Sequence, residues 1–406
     1  MKPISTAARR QFLQRVSALA LLGTLGAGCS SSIPGLGGTN SGEAPLSAPV
    51  GGVQTQPLAG TNLGTGPVRV ALILPLTQGS GPSAIGTSLR NAAELALADV
   101  NDTSLTVLLK DDRSTPDGAR EAARAALSEG AELFIGPLFA NNVKEVGAVA
   151  KSGNRPVIGF STDSSAAQPG VYLLSFLIES QVDRVVGFAA DKGKKSFAAM
   201  VPESDYGNVA LAEFQQMAAS KGVRVMAIER YKPGGAAAAA TKIAALGNQI
   251  DALFLPEQAD ALASVGPALE AAGLSGKKIQ ILGTGVWNDA RVLKQPALQG
   301  AWFAAPENAG FNAFAARYKA KYGSDPARVA SLTYDAVSLA AALARTQGGQ
   351  RFATSTLLSS TGFNGADGVF RFRQDGLNDR VLAVLQVGSG SASVVSPAPK
   401  SFGAGS

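Results

Sequence analysis

The chain has 406 residues, 46% of them hydrophobic and 16% charged, with a formal net charge of +6. That length exceeds one ordinary hydrophobic core and suggests two lobes, and the composition is that of a chain that folds. Histidine is absent, which excludes Ser-His-Asp and Cys-His catalysis and every histidine-ligated metal site.

The start is basic at Lys2, Arg9 and Arg10, apolar from Val16 to Leu25 and small at Gly26-Ala27-Gly28, and it closes on Cys29, the only cysteine. This is the layout of a bacterial export signal over 1–29. An apolar run of about ten residues is too short to cross a ~30 Å bilayer core as a helix. Arg9-Arg10-Gln11-Phe12-Leu13 resembles a twin-arginine export motif, with Ala8 where Ser or Thr is usual. Leu25–Cys29 resembles a lipobox in which the leucine stands one residue too far from the cysteine. Cys29 is therefore the expected lipidation site; the alternative is plain secretion with an unmodified thiol. Setting aside Lys2, Arg9, Arg10 and Arg15 leaves a net charge of about +2, little reason to expect a nucleic-acid partner.

Residues 30–66 are rich in Ser, Gly, Pro, Thr and Asn, with Glu43 their only charge. They cannot bury a core and read as a flexible tether with a reach of roughly 35 Å. From Val68 strands and helices alternate, the pattern of parallel sheets covered by helices. Val68–Leu74 is nearly continuous in apolar residues, as a strand covered on both faces must be. A Gly/Ser/Pro loop leads to a helix with Ile85, Leu89, Ala92, Ala93, Ala96, Leu97 and Val100 on one face. Leu105–Lys110 is the next strand, and Pro116 opens the next helix, where its missing N–H costs nothing.

Two apolar runs, Leu133–Gly136 and Val157–Phe160, then flank Val143, Val146, Val149 and Ala150 at helical spacing. Parallel strands joined in this way deliver both following loops to one edge of the sheet, where open α/β sheets bind ligands. The first loop offers Asn141 after Pro137-Leu138-Phe139-Ala140. The second offers Ser161, Thr162, Asp163, Ser164 and Ser165, hydroxyls enough to hold a polar group. The same residue types also suit a turn or a helix cap.

Tyr172–Phe176 reads as a crossing into a second lobe, where the pattern restarts. Helices are expected around Val182–Ala189, Asp205–Ser220, Ala236–Leu246 and Ala259–Ala272, with strands at Ser196–Val201, Val223–Ile228, Ala252–Leu255 and Ile279–Leu282. A second crossing is expected at Ala301–Ala305, before helices at Asn312–Tyr322 and Arg328–Arg345. Gly368–Val387 alternates at period two about Asp375-Gly376 and predicts a β-hairpin. The folded domain thus spans 67–388, one lobe from about 67–171 with 306–346 and the other from about 177–300. Crossings fall near 172–176, near 301–305 and after 346. The tail, 389–406, is expected to be disordered.

Gly79-Ser80-Gly81 lacks the Gly-Lys-Ser/Thr ending of a phosphate loop, and Gly283–Gly285 lacks the remaining fingerprint glycine, so no nucleotide cofactor is expected. Asp111-Asp112, Asp117 and Glu121 suit solvated carboxylates beside a helix start better than a metal site. No carboxylate pair has an acid/base spacing, so no catalytic residue is assigned. Tyr206 opens a helix after a strand, where it could close over a ligand or pack locally behind an Asp205 cap. Glu257 stands at the equivalent point one unit later, suited to an ammonium, and Trp287 ends the next loop. Such groups facing Ser161 and Thr162 would suit a small zwitterion, its carboxylate taken by hydroxyls and helix-start N–H groups.

Val68–Gly86, Ile135-Gly136-Pro137, Ser161/Thr162, Asp205-Tyr206-Gly207 and Tyr334-Asp335-Ala336 together resemble the leucine-binding family of periplasmic receptors, from Val68 to about Val387. The resemblance implies a two-lobed α/β architecture, the type I periplasmic-binding-protein fold, in which each lobe is a mostly parallel sheet flanked by helices. It implies ligand roles for Ser161, Thr162, Tyr206 and Glu257, and no enzymatic activity. The expected partners are an amino-acid-like solute and an ABC-type permease, with the protein held at a periplasmic membrane face through Cys29. One departure stands out: amino-acid-binding members supply hydroxyls from the first loop, and Leu138–Asn141 has none. The tether and Gly362-Phe363-Asn364-Gly365…Gly368…Phe370 also resemble the lipoprotein activators of penicillin-binding proteins. That resemblance implies the alternative of a cell-wall synthase as partner.

Overall fold

The computed structural model describes residues 62–101 and 103–402. The expected export signal, Cys29 and most of the tether lie outside them.

β1 (Val68–Leu74) is buried at every position except Arg69. After a two-residue hairpin, β2 (Thr77–Gln78) with β3 (Gly81–Pro82), comes α1 (Ala84–Asp99), capped by Ser83, whose Oγ accepts from Gly86 N–H at 3.1 Å. β4 (Leu105–Asp111), α2 (Pro116–Ser128), β5 (Leu133–Ile135), α3 (Ala140–Ser152), β6 (Val157–Gly159) and β7 (Val171–Leu173) follow. The sheet order is β4-β1-β5-β6-β7, parallel throughout. Strand alternation sends Leu72 and Leu74 to one face and Ala71 and Ile73 to the other. The first pair joins a core with Leu89 of α1, and the second a core with Ala119 of α2 and Val143 of α3. Each fully buried leucine, isoleucine or valine among them contributes about 1.5–3 kcal/mol relative to leaving it exposed.

The chain crosses over 174–177 and repeats the plan. α4 (Ile178–Asp191), β8 (Ser196–Pro202), α5 (Asp205–Ser220), β9 (Arg224–Tyr231), α6 (Ala236–Ala244), β10 (Ala252–Phe254), α7 (Leu262–Ala271), β11 (Gln280–Gly283), α8 (Ala290–Leu293) and β12 (Trp302–Ala305) build the second lobe. β8 again divides its residues: Ala198 and Met200 pack toward α6 and α7, and Phe197, Ala199 and Val201 toward α4 and α5. Phe214 of α5 stacks on Phe254 at 4.9 Å between centroids.

Back in the first lobe, α9 (Asn308–Tyr322) and α10 (Ala330–Thr346) precede the short α11 (Thr354–Leu357), β13 (Phe363–Gly365), β14 (Gly368–Phe372) and β15 (Asn378–Arg380). Leu332, Ala336 and Val337 of α10 pack into the same core as Leu72 and Leu89. β16 (Ala383–Val387) and β17 (Ala392–Ser396) then complete the second sheet, order β17-β16-β12-β11-β10-β8-β9.

Three expectations change. The crossing expected at Ala301–Ala305 is a strand, β12, parallel to β11, and the return is made at Pro306-Glu307. The run Gly368–Val387 divides: β14 and β15 pair antiparallel about Asp375-Gly376, but β16 leaves at Val381-Leu382 to pair with β12. Period-two alternation marks a strand without naming its partner. The tail is ordered through Phe402 among the described residues, because Ala392–Ser396 adds to the edge of β16 and its β-branched valines suit a strand.

Candidate functional site

Ser161 follows β6, Tyr206 follows β8 and Glu257 follows β10, so each stands past the carboxyl end of a parallel strand. The first crossing joins these edges: Ser175 within it donates to Phe160 O at 3.1 Å, past the end of β6. β7 ends at Leu173, α4 begins at Ile178 and returns to β8 through a four-residue turn, so the first turn of α4 lies at the carboxyl edge of the second sheet. Gln181 in that turn donates from Nε2 to Phe176 O at 2.9 Å and accepts at Oε1 from Gly285 N–H at 2.6 Å, just past β11.

In the first lobe, Pro137 O accepts from Phe160 N–H at 2.9 Å, binding the two strand-end loops together. Gly136 has φ +84°, and a Cβ there would lie 2.1 Å from Ile73 O, so only glycine lets the loop leave beside β1. Phe139 precedes α3 without giving it a side-chain cap. Asn141 is exposed on the first turn, whereas its neighbour Asn142 is buried and donates to Asp112 Oδ2 at 2.9 Å. Burial pushes Asp112 up to about 6. Asp111 Oδ1 accepts from the backbone of Leu76, Thr77 and Arg113, while Glu121 pairs with Arg113 and Asp117 with Arg120. Among the described residues no three metal-capable side chains converge. Ser161 is 1% exposed, and its Oγ accepts from Asp163 N–H at 3.0 Å. Asp163 in turn caps the single turn Ser164–Ala166, and Thr162 is half-buried beside it.

In the second lobe Ser204, not Asp205, caps α5, its Oγ accepting from Gly207 N–H at 3.1 Å. Tyr206 Oη lies 2.5 Å from Oγ1 of Thr284, a fully buried residue, and burial raises the phenol above its ordinary value. Glu257 is 4% exposed; Oε2 accepts from Tyr231 O–H at 2.5 Å and Oε1 from Gln258 N–H at 2.8 Å. Burial raises the pKa of its carboxyl. Trp287 does not face a cleft. It is fully buried in the second-lobe core, and its indole N–H donates to Glu257 O at 3.1 Å. A Cβ on Gly283 would come within 2.2 Å of its ring, so Trp287 supports the Glu257 loop from below. An aromatic at a loop end reads the same in sequence whether it points in or out.

Thr284, Tyr231 and Gln181 escape sequence reading, since each matters only through a partner far along the chain. So does most of the charge cluster at the crossings. Asp367, fully buried, is held on both oxygens by Arg328. Asp335 accepts from Ala366 N–H at 2.6 Å and lies 4.0 Å from Arg380, which donates to Asp367 O at 3.1 Å. Phe176, in the first crossing, has the Arg328 guanidinium 4.7 Å and that of Arg380 5.2 Å from its ring centroid. Burial pushes Asp335 up to about 7. Burial also favours neutral Asp367, but the Arg328 charge outweighs it and holds that carboxyl below its ordinary value. Only the Tyr334-Asp335-Ala336 motif signals this cluster. A cavity of about 560 Å³ opens elsewhere, lined by Leu343, Gln347, Ser355, Thr356, Ser359 and Phe363, none of them in the strand-end loops.

A family model described as periplasmic binding protein matches residues 67–392. Comparison with curated proteins gave no match. Among solved structures, a Rhodospirillum rubrum protein described as a branched-chain amino acid ABC transporter is 20% identical, with a TM-score of 0.73 over 81% of this chain and 99% of that one. A solute binding protein from Rhodopseudomonas palustris BisB5, in complex with 3,4-dihydroxy benzoic acid, is 20% identical, with a TM-score of 0.59 over 82% and 97%. LivJ from Streptococcus pneumoniae, in complex with isoleucine, is 21% identical, with a TM-score of 0.58 over 81% and 99%. At these identities the likeness is one of fold.

Proposed function

The chain belongs to the periplasmic binding protein family, and from that premise we propose that it is the solute receptor of an ABC-type transporter, holding a small carboxylic acid between its lobes. One observation carries this reading: Ser161/Thr162 on one lobe and Tyr206/Glu257 on the other all stand at the carboxyl ends of parallel strands, on edges that the first crossing joins. The hydroxyls of the loop after β6 suit the carboxylate. Two solute types are represented among the neighbours, an amino acid and an aromatic acid. Glu257 separates them, because only the amino acid brings an ammonium. The bond from Tyr231 already occupies that carboxylate in part, and Leu138–Asn141 supplies no hydroxyl, so both features favour the less polar acid.

A ligand at a hundredfold excess over Kd stabilises the folded state by about 2.7 kcal/mol, enough to raise Tm by several degrees. Isoleucine, leucine, benzoate, 3,4-dihydroxybenzoate and cell-wall fragments form the screen. The expected hit is lost in Thr162→Ala and kept in Lys232→Ala. Glu257→Gln abolishes an amino-acid hit and spares an aromatic-acid hit. No shift with any compound, together with capture of a penicillin-binding protein, overturns the receptor reading in favour of a synthase activator. Anchoring through Cys29 belongs to the same proposal. The mature protein is expected in the membrane fraction, and Cys29→Ala releases it or blocks maturation; wild-type protein found wholly in the periplasmic supernatant removes the anchor.

A further inference from the structure

Three crossings join the lobes, over 174–177, at Pro306-Glu307 and at Val381-Leu382. Beyond them the chain runs on as β17, paired with β16 on the second lobe, and Ala392 and Ala398 pack against the second-lobe core. Arg184 on α4 grips this segment. It donates from Nη2 to Ser396 Oγ at 2.7 Å and from Nε to Leu382 O, in the third crossing, at 2.9 Å. The next contact is with the second crossing, where Ala398 N–H donates to Glu307 Oε1 at 2.9 Å. Four residues later the chain is on the first lobe. Phe402 lies with its ring centroid 4.4 Å from the guanidinium of Arg371 on β14, the strand whose Phe370 and Phe372 belong to the first-lobe core. The ring also approaches Gly362, where a Cβ would sit 3.0 Å from it. Gly362 has φ +72° and no side chain, so it leaves a socket for the ring.

We propose that residues 392–402 form a strap, a fourth tie between the lobes that stiffens rotation about the three crossings and narrows the range of lobe orientations. The six steps of chain from Ser396 to Phe402 can span at most about 20 Å when fully extended. Both of their ends are held, one by β17 and Arg184, the other by Arg371 and Gly362. Because the strap touches Glu307 and shares Arg184 with Leu382, it lies along two of the crossings. Rotation of one lobe against the other must either strain this span or pull Phe402 from its socket.

The test compares distance distributions between spin labels at Lys151→Cys on the first lobe and Lys221→Cys on the second, both exposed, in a Cys29→Ser full-length chain. Pulsed electron resonance is expected to show one narrow peak with the strap intact. Phe402→Ala broadens it and shifts it, and a chain ending at Ser396 does so further. Far-UV circular dichroism confirms that each variant is folded; should the shortened chain not fold, Phe402→Ala decides alone, since it removes only a half-buried ring. An unchanged distribution in folded Phe402→Ala overturns the strap. The measurement needs no solute, so it stands or falls apart from the receptor reading.

Discussion

Two hydroxyls 78 positions apart share one bond at Tyr206 and Thr284. Removing one partner strands the other: Tyr206→Phe leaves the buried Thr284 hydroxyl without it, at a cost of about 1–3 kcal/mol. The urea midpoint is expected to fall with the slope unchanged, and Thr284→Val added to Tyr206→Phe to recover part of the loss. Full stability in Tyr206→Phe contradicts this. Asp335 carries a pH dependence. Its carboxyl is raised from 3.8 to about 7 by burial, so the folded state binds its proton more tightly than the unfolded chain. Stability from this group is complete below pH ~4 and is lost as pH rises toward 7, by at most about 1.4 kcal/mol per unit. Asp367, held low, acts in the opposite sense and at lower pH, losing its contribution as pH falls below 3.8. Urea midpoints from pH 4.5 to 7.5 should therefore decline less in Asp335→Asn than in the wild type. Parallel pH slopes in the two proteins sink the assignment.

Among the elements, β5 and its loop depend on one backbone position. Gly136→Ala places a Cβ 2.1 Å from Ile73 O at φ +84°, where neither the strand nor the loop has room to yield. Gly170 has nearly the same φ, +86°, but open space around it. Gly170→Ala should cost about 1–2 kcal/mol, the price of the left-handed conformation alone. Gly136→Ala should cost several times more, since it adds a steric clash against β1. Equal losses in chemical denaturation argue against the close approach. At the start of α5, Ser204→Ala is expected to cost about 1 kcal/mol and Asp205→Ala much less, because the serine is the cap. These elements were largely legible. β1 and the helices over it follow from local period, and the loops after β5, β6, β8 and β10 fall where that period breaks.

For the molecule as a whole, the first lobe is discontinuous in sequence. Its core joins Leu72 of β1 and Leu89 of α1 to Leu332 and Val337 of α10, so residues 62–173 alone keep α1 on that face of the sheet and lose the cover that α10 adds. A fragment of those residues is expected to show no cooperative unfolding transition, and adding 306–380 in trans to restore one. A cooperative transition in the isolated fragment contradicts this account. The lobes are tied where buried charge collects, with Phe176 between Arg328 and Arg380.

The alternation of strands and helices and the strand-end positions of Ser161, Tyr206 and Glu257 were determined by the sequence itself. Hydrophobic period and backbone sterics are local, and both can be read from neighbouring residues. Tertiary structure alone decided that Trp287 is core, that Asn142 and not Asn141 is buried, and that Tyr231 holds Glu257 from 26 residues away. It also decided that β16 joins the second sheet and that the tail reaches back to the first lobe. Those outcomes depend on which surfaces meet, and a side chain carries no local mark of the partner that packing will bring to it.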